Sequence, residues 1–109
     1  MRKSLIKILG SLPPRVRITP KVSYEILFIE RFDDDEKCVG QTRYETKQIV
    51  IKKNESLSLT FRTVLHEIIH AINFEYELDL TERHVLGLEK GIFTVFRINK
   101  LLDLISKTL

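Results

Sequence analysis

The sequence predicts an α+β fold, with strands in its first half and helices in its second. Two stretches of contrasting texture carry that prediction. Between Arg15 and Ile51 the residues are rich in β-branched and aromatic types, and Val16 and Ile18 alternate with Arg15 and Arg17. From about Ser56 onward, apolar residues recur at helical spacing to the end of the chain. No internal repeat, low-complexity stretch or linker is visible, and 109 residues at 43% hydrophobic content are enough for one core. A single domain over residues 1–109 is the expectation.

Each element has its own local reason. Leu5, Ile8, Leu9 and Leu12 share one helical face, with Arg2, Lys3 and Lys7 elsewhere, which predicts a short amphipathic helix stopped by Gly10 or by Pro13-Pro14. Lys7 interrupts the apolar stretch and no small-x-small cleavage pattern follows, so the N-terminus predicts an intracellular, cytoplasmic protein. Val22 to Phe32 reads as strand, ended by the solvated run Asp33-Asp34-Asp35-Glu36. Val39 to Tyr44 and Gln48 to Ile51 read as a hairpin around Glu45-Thr46-Lys47, although that turn lacks the Asn-Gly or Asp-Gly pair that fixes a turn type. Thr60 to Glu75 contains neither Gly nor Pro and repeats apolar residues as a helix does. Asp79-Leu80-Thr81-Glu82 opens another helix, with Asp79 or Thr81 as its cap and Glu82 in its first turn. The expected apolar face of that helix is Val85, Leu88, Ile92 and Phe96, flanked by Phe93. Leu101, Leu104 and Ile105 share a face and predict a last helix closing the core.

Composition excludes several function classes. No apolar run approaches the roughly 18–20 residues of a membrane span. Lys plus Arg is 18 against 15 for Asp plus Glu, a net charge of +3. These charges are scattered and read as a solvated surface, leaving nucleic acid a minor alternative. The single cysteine, Cys38, excludes an internal disulfide framework and a Cys-rich zinc site.

One short motif carries most of the chemistry: His66-Glu67-Ile68-Ile69-His70. Residues four apart stack on one helical face, so His66 and His70 can present two imidazoles to one zinc ion. Glu67 lies about 100° further round the helix, where its carboxylate can reach a water at the ion without being a ligand. A hydrolase that uses a metal needs that arrangement, the ion acidifying water and the carboxylate taking its proton. The competing explanation is an ordinary histidine pair on an amphipathic helix. It is disfavoured because Leu65, Ile68, Ile69 and Ile72 surround the polar residues, and unligated buried polar groups are costly.

A hydrolytic zinc site takes three protein ligands and keeps one open position. Cys38 reads better as an isolated buried thiol than as the third ligand. His84 points off the inner face of its helix, whereas Glu82 and Glu89 project beside it. A first helix running well past His70 favours Glu89, and one stopping near Asn73 favours Glu82. The alternatives to ligation are helix-dipole stabilisation for Glu82 and an exposed charge or lysine ion pair for Glu89.

The run Thr63-Val64-Leu65-His66-Glu67-Ile68-Ile69-His70-Ala71-Ile72, followed by Leu80-Thr81-Glu82-Arg83-His84-Val85 and a Leu88/Gly91/Phe93 pattern closing near Asn99, resembles small zincin-like metallopeptidases. These are the single-domain minigluzincins and the related short phage and ImmA/IrrE-type HExxH proteins. The resemblance spans roughly Val39 to Asn99. It implies a small mixed sheet packed on the HExxH helix and on a following glutamate helix. It also implies Glu82 as third ligand, from its spacing to Val85 and Leu88, and departs from the pattern at Glu89, where a small residue is expected. The hairpin would supply an edge strand, Gln41–Tyr44 or Gln48–Ile51, for β-addition of a peptide. Tyr44 or Tyr76 could assist an oxyanion, although packing is the plainer role for each. In some relatives a terminal segment lies across the cleft, which implies latency here.

The expected function is therefore a zinc metallopeptidase, with one zinc ion on His66, His70 and Glu82 and with Glu67 as general base. The alternative is a non-catalytic, metal-stabilised binding or regulatory domain, which has no use for Glu67. The expected partner is a peptide or protein substrate and not a membrane, and a homo-oligomer stays open as the assembly state.

Overall fold

The computed structural model describes residues 1–109. The chain runs α1 (Arg2–Gly10), β1 (Arg15–Thr19), β2 (Val22–Ile29), β3 (Gly40–Arg43), β4 (Gln48–Lys52), α2 (Leu57–Glu75), α3 (Glu82–Ile98) and α4 (Leu101–Ser106). The α+β class holds. No helix is long and apolar enough to cross a membrane.

The four strands form one sheet in the order β1-β2-β4-β3. A tight turn joins β1 to β2, where Thr19 Oγ1 accepts from the backbone N–H groups of Lys21 and Val22 at 3.1 and 3.0 Å. The predicted β3–β4 hairpin is present and antiparallel, in register Gly40↔Ile51 to Arg43↔Gln48. Local pattern does not reveal that β2 pairs with β4 in parallel, from Glu25↔Gln48 to Ile29↔Lys52. This crossover makes the sheet mixed. It also puts β4 inside and leaves β3 at the edge, so of the two candidate edge strands only Gln41–Tyr44 overlaps one. Ile49, Val50 and Ile51 are accordingly buried, as an interior strand requires.

Helix α2 lies across this sheet, with Tyr24, Ile49, Ile51, Val64 and Ala71 forming the central cluster. The chain then reverses through Tyr76–Thr81, where the Asn73 side chain clamps both main-chain groups of Leu80. Its Oδ1 accepts from Leu80 N at 2.8 Å and its Nδ2 donates to Leu80 O at 3.2 Å. Thr81, and not Asp79, caps α3, and His84 completes a reciprocal capping pair with it.

The expected face of α3 holds at Val85, Ile92, Phe93 and Phe96 but not at Leu88, and that of α4 is rotated. On α3, Leu88 is 44% exposed while Glu89 is buried, because Arg62 and His66 hold the Glu89 carboxylate inward. On α4, Leu104 and Ile105 are exposed while Leu102 and Ser106 are buried. There the Ser4 hydroxyl donates to Asp103, and Ser106 Oγ lies 3.4 Å from Ser4 Oγ. This polar seam sets the roll of the last helix against α1.

Candidate metal centre

The predicted helix places His66 and His70 one turn apart, with ring centroids 4.9 Å from each other. Both Nε2 atoms converge on one carboxylate. His66 Nε2 lies 2.8 Å from Glu82 Oε1, and His70 Nε2 lies 2.9 Å from Glu82 Oε2. One donor atom from each of these three residues falls within 4.8 Å of the others. Two imidazole nitrogens and a carboxylate oxygen are a donor set suited to zinc.

The convergence follows from how α3 returns along α2. The Asn73 clamp and the Thr81 cap start α3 beside His70, so Glu82 in its first turn meets the pair. Two turns later Glu89 arrives at the far side of His66, and Phe93 meets Phe61 beyond it, with ring centroids 5.8 Å apart. Although α2 runs past His70 to Glu75, Glu82 still reaches both imidazoles. The two glutamates are not competitors for one position, because they occupy opposite sides of His66.

Glu89 Oε1 lies 3.0 Å from His66 Nδ1, and its Oε2 accepts from Arg62 Nε at 2.7 Å. Buried at 7% side-chain exposure, it is neither an exposed charge nor a lysine partner. Both ring nitrogens of His66 thus face carboxylate oxygens, and a neutral imidazole has only one N–H to give. A cation on the Nε2 lone pair, with Nδ1–H bonded to Glu89, would satisfy both nitrogens in the usual carboxylate–histidine–metal relay. When ionised, Glu67, Glu82 and Glu89 against Arg62 leave two uncompensated negative charges, which a divalent ion would balance.

Glu67 stands outside this ligand set. Its carboxylate is buried, and Thr42 Oγ1 on β3 donates to its Oε1 at 2.8 Å. Burial pushes the Glu67 carboxyl above the usual carboxylate range; the Thr42 hydrogen bond and both imidazoles pull it back, and the Glu82 charge adds to the rise. Strand and helix meet closely here. A Cβ on Gly40 would lie 2.6 Å from Thr63 Cγ2 and 2.9 Å from Glu67 Oε2, so only glycine lets the edge strand approach this carboxylate.

The remaining candidates separate clearly. Tyr44 stacks on Phe74 with centroids 4.5 Å apart, and its phenol is raised above its ordinary value by burial and then by the charges of Glu67 and Glu82. Tyr76 instead reaches Ile18 O on β1. Cys38 lies outside the donor group and is half-buried, not buried as expected, with Sγ donating to Gly40 O. His84 is exposed and occupied in capping. The C-terminal helix α4 rests on α1 and α3, and none of its residues lines the cleft beside His66, so the covering segment that the resemblance implies is not found there.

Thr42, Gly40, Arg62 and Asn73 are missed by motif reasoning. Only Arg62 carries a local signal, lying four residues before His66 on the same helical face. Compared with known proteins, the chain matches no family model, no curated protein and no solved structure.

Proposed function

We propose that this chain is a zincin-like, zinc-dependent metallopeptidase of gluzincin type. The observation that carries the reading is the convergence of His66 Nε2 and His70 Nε2 on the Glu82 carboxylate, with Glu67 buried beside them and outside the donor set. His66, His70 and Glu82 hold the ion, and Glu89 fixes the proton of His66 on Nδ1. When bound, zinc supplies Lewis-acid polarisation of the scissile carbonyl and acidifies water.

The protein's own groups do the rest. Glu67 takes the proton of the attacking water and passes it to the leaving amine. Its raised affinity for protons brings it nearer the pH at which a base must also act as an acid. Thr42 pins one of its oxygens, which fixes the carboxylate's direction. Tyr44 remains a phenol, a donor suited to a developing oxyanion.

The free edge of β3 suits an extended peptide. Lys52 N donates to Val39 O, so alternation along the antiparallel pair turns the main-chain groups of Gly40 and Thr42 away from β4. Those groups can bond to an added strand above the site.

The test is zinc titration followed by peptidase assay of the zinc-loaded protein and of Glu67→Gln. The variant is expected to keep zinc and lose about 10²–10⁴-fold in activity. Activity unchanged by the substitution removes this mechanism and favours a non-catalytic binding domain.

A further inference from the structure

Away from the metal centre, the fold sorts charges that look scattered along the sequence and that point there to no membrane. Helix α4 rests on both α1 and α3. Together with Lys100 and Lys107, which flank α4, these helices carry eight of the 18 Lys and Arg residues but only three of the 15 acids. Each of those acids is engaged inside the protein. Glu82 faces His66 and His70, Glu89 faces His66 and Arg62, and Asp103 accepts from Ser4. All eight bases are exposed, and none forms an ion pair. The rest of the chain holds ten bases against twelve acids, so the excess positive charge is gathered on this layer of helices.

The same layer leaves aliphatic side chains in solvent. On α3, Leu88, Gly91, Val95 and Ile98 recur at helical spacing as one exposed stripe. Arg83, Lys90 and Arg97, seven residues apart, form a second exposed stripe along the same helix. At about 100° per residue, Gly87 and Thr94 lie between the two. A Cβ on Gly87 or Gly91 would meet nothing within 4 Å, so the chain itself does not cover this face. Ile6 on α1, Ile98 at the end of α3 and Leu104 on α4 are 51%, 62% and 59% exposed.

We propose that the layer of α1, α4 and α3 docks on the surface of a bilayer that carries anionic lipids. Its unpaired lysines and arginines meet the headgroups, while the aliphatic side chains among them enter the acyl boundary. The contact is peripheral, because no helix is long and apolar enough to cross a membrane. Nucleic acid offers phosphates but no hydrocarbon, and single strands are held by stacking on exposed aromatic side chains, of which these helices have none. A second copy would set the same cations against each other.

The experiment measures co-sedimentation of the full chain with vesicles of phosphatidylcholine, alone or with about three-tenths phosphatidylserine. At about 0.1 M salt, affinity for the anionic vesicles is expected to be at least about tenfold higher, and about 0.5 M salt should remove most of that gain. Lys90→Glu combined with Arg97→Glu should weaken binding at least about tenfold. Ile98→Ser combined with Leu104→Ser should weaken it at least about threefold. Arg15→Glu combined with Arg17→Glu alters net charge equally, but on β1, which touches none of the three helices; it should leave affinity within about twofold. Circular dichroism checks that each variant is folded, and all the substituted side chains are exposed. No preference for the anionic vesicles, or an equal loss in the β1 variant, overturns the proposal. Unchanged binding of the Ile98 and Leu104 variant overturns it too, and marks the layer as a site for a soluble polyanion such as an acidic protein. Vesicle binding needs no zinc, so neither result bears on the metal reading.

Discussion

Helix α2 carries two carboxylate clusters that join it to neighbouring elements, and they are built to opposite ends. At its C-terminal turn, Glu75 Oε2 accepts from Tyr24 Oη and from Lys47 Nζ, each at 2.6 Å. The same ammonium lies 5.4 Å from the Tyr24 ring centroid and 5.0 Å from that of Phe74. The Lys47 hydrogen bond, and then that of Tyr24, hold the Glu75 carboxyl below its ordinary range. This cluster contains its own cation and is complete as it stands. In the middle of the helix, Glu67 shifts the other way, because burial raises it further than the Thr42 hydroxyl and the two imidazoles lower it, and the Glu82 charge adds to the rise. A structural network supplies its countercharge from within the chain, whereas a metal site leaves negative charge for an outside cation to balance.

The widest separation between the clusters is expected from His70→Ala. Removing one of three donors should abolish stoichiometric zinc uptake, read by metal analysis after dialysis, with helical content by circular dichroism retained. Glu89→Gln should weaken zinc binding by about 10–100-fold without abolishing it, since it acts through His66. Equal zinc affinity in that variant would show that the His66–Glu89 contact does not support the metal. Lys47→Met should leave zinc affinity unchanged and cost about 1–2 kcal/mol of stability in denaturant melts. The size is that of a charge-assisted hydrogen bond discounted for solvent screening of a partly exposed ammonium.

The smallest effect is in acid. A carboxyl whose folded pKa lies below its unfolded value stabilises the fold at pH above the unfolded value, and that contribution fades as pH falls through the folded one. For Glu75 the loss begins below the ordinary value of 4.5. Glu75→Gln should therefore flatten the stability–pH curve in that window and leave zinc binding at neutral pH unaltered. A curve of unchanged slope would mean that Glu75 is not held by Lys47 and Tyr24 in solution.

The same contrast explains what could be read from the linear chain. His66, Glu67 and His70 were legible because their relation is local, set by the pitch of one helix. The Lys47 cluster was not. It brings together β2, the β3–β4 turn and the end of α2, and the turn itself places Lys47 at φ 57°, a conformation more typical of glycine or asparagine. Thr42 and Gly40 looked like ordinary strand residues until the edge strand was seen against α2. The expected face of α3 failed at Leu88 and Glu89, because a pattern of apolar residues cannot register a glutamate held inside by a guanidinium and an imidazole.

The amino-acid order by itself determined the α+β class, the β3–β4 hairpin and two imidazoles on one side of a helix with an acid beside them. Backbone periodicity and short-range sterics suffice for these. Tertiary structure alone decided that Glu82 faces both imidazoles while Glu89 stands behind His66, that β3 and not β4 lies at an edge of the sheet, and that a cleft opens next to Arg62. Those outcomes depend on the parallel β2–β4 pairing and on the Asn73 clamp that starts α3 beside His70. Contacts between distant segments are set by the packing of the whole core, and no local window of residues contains it.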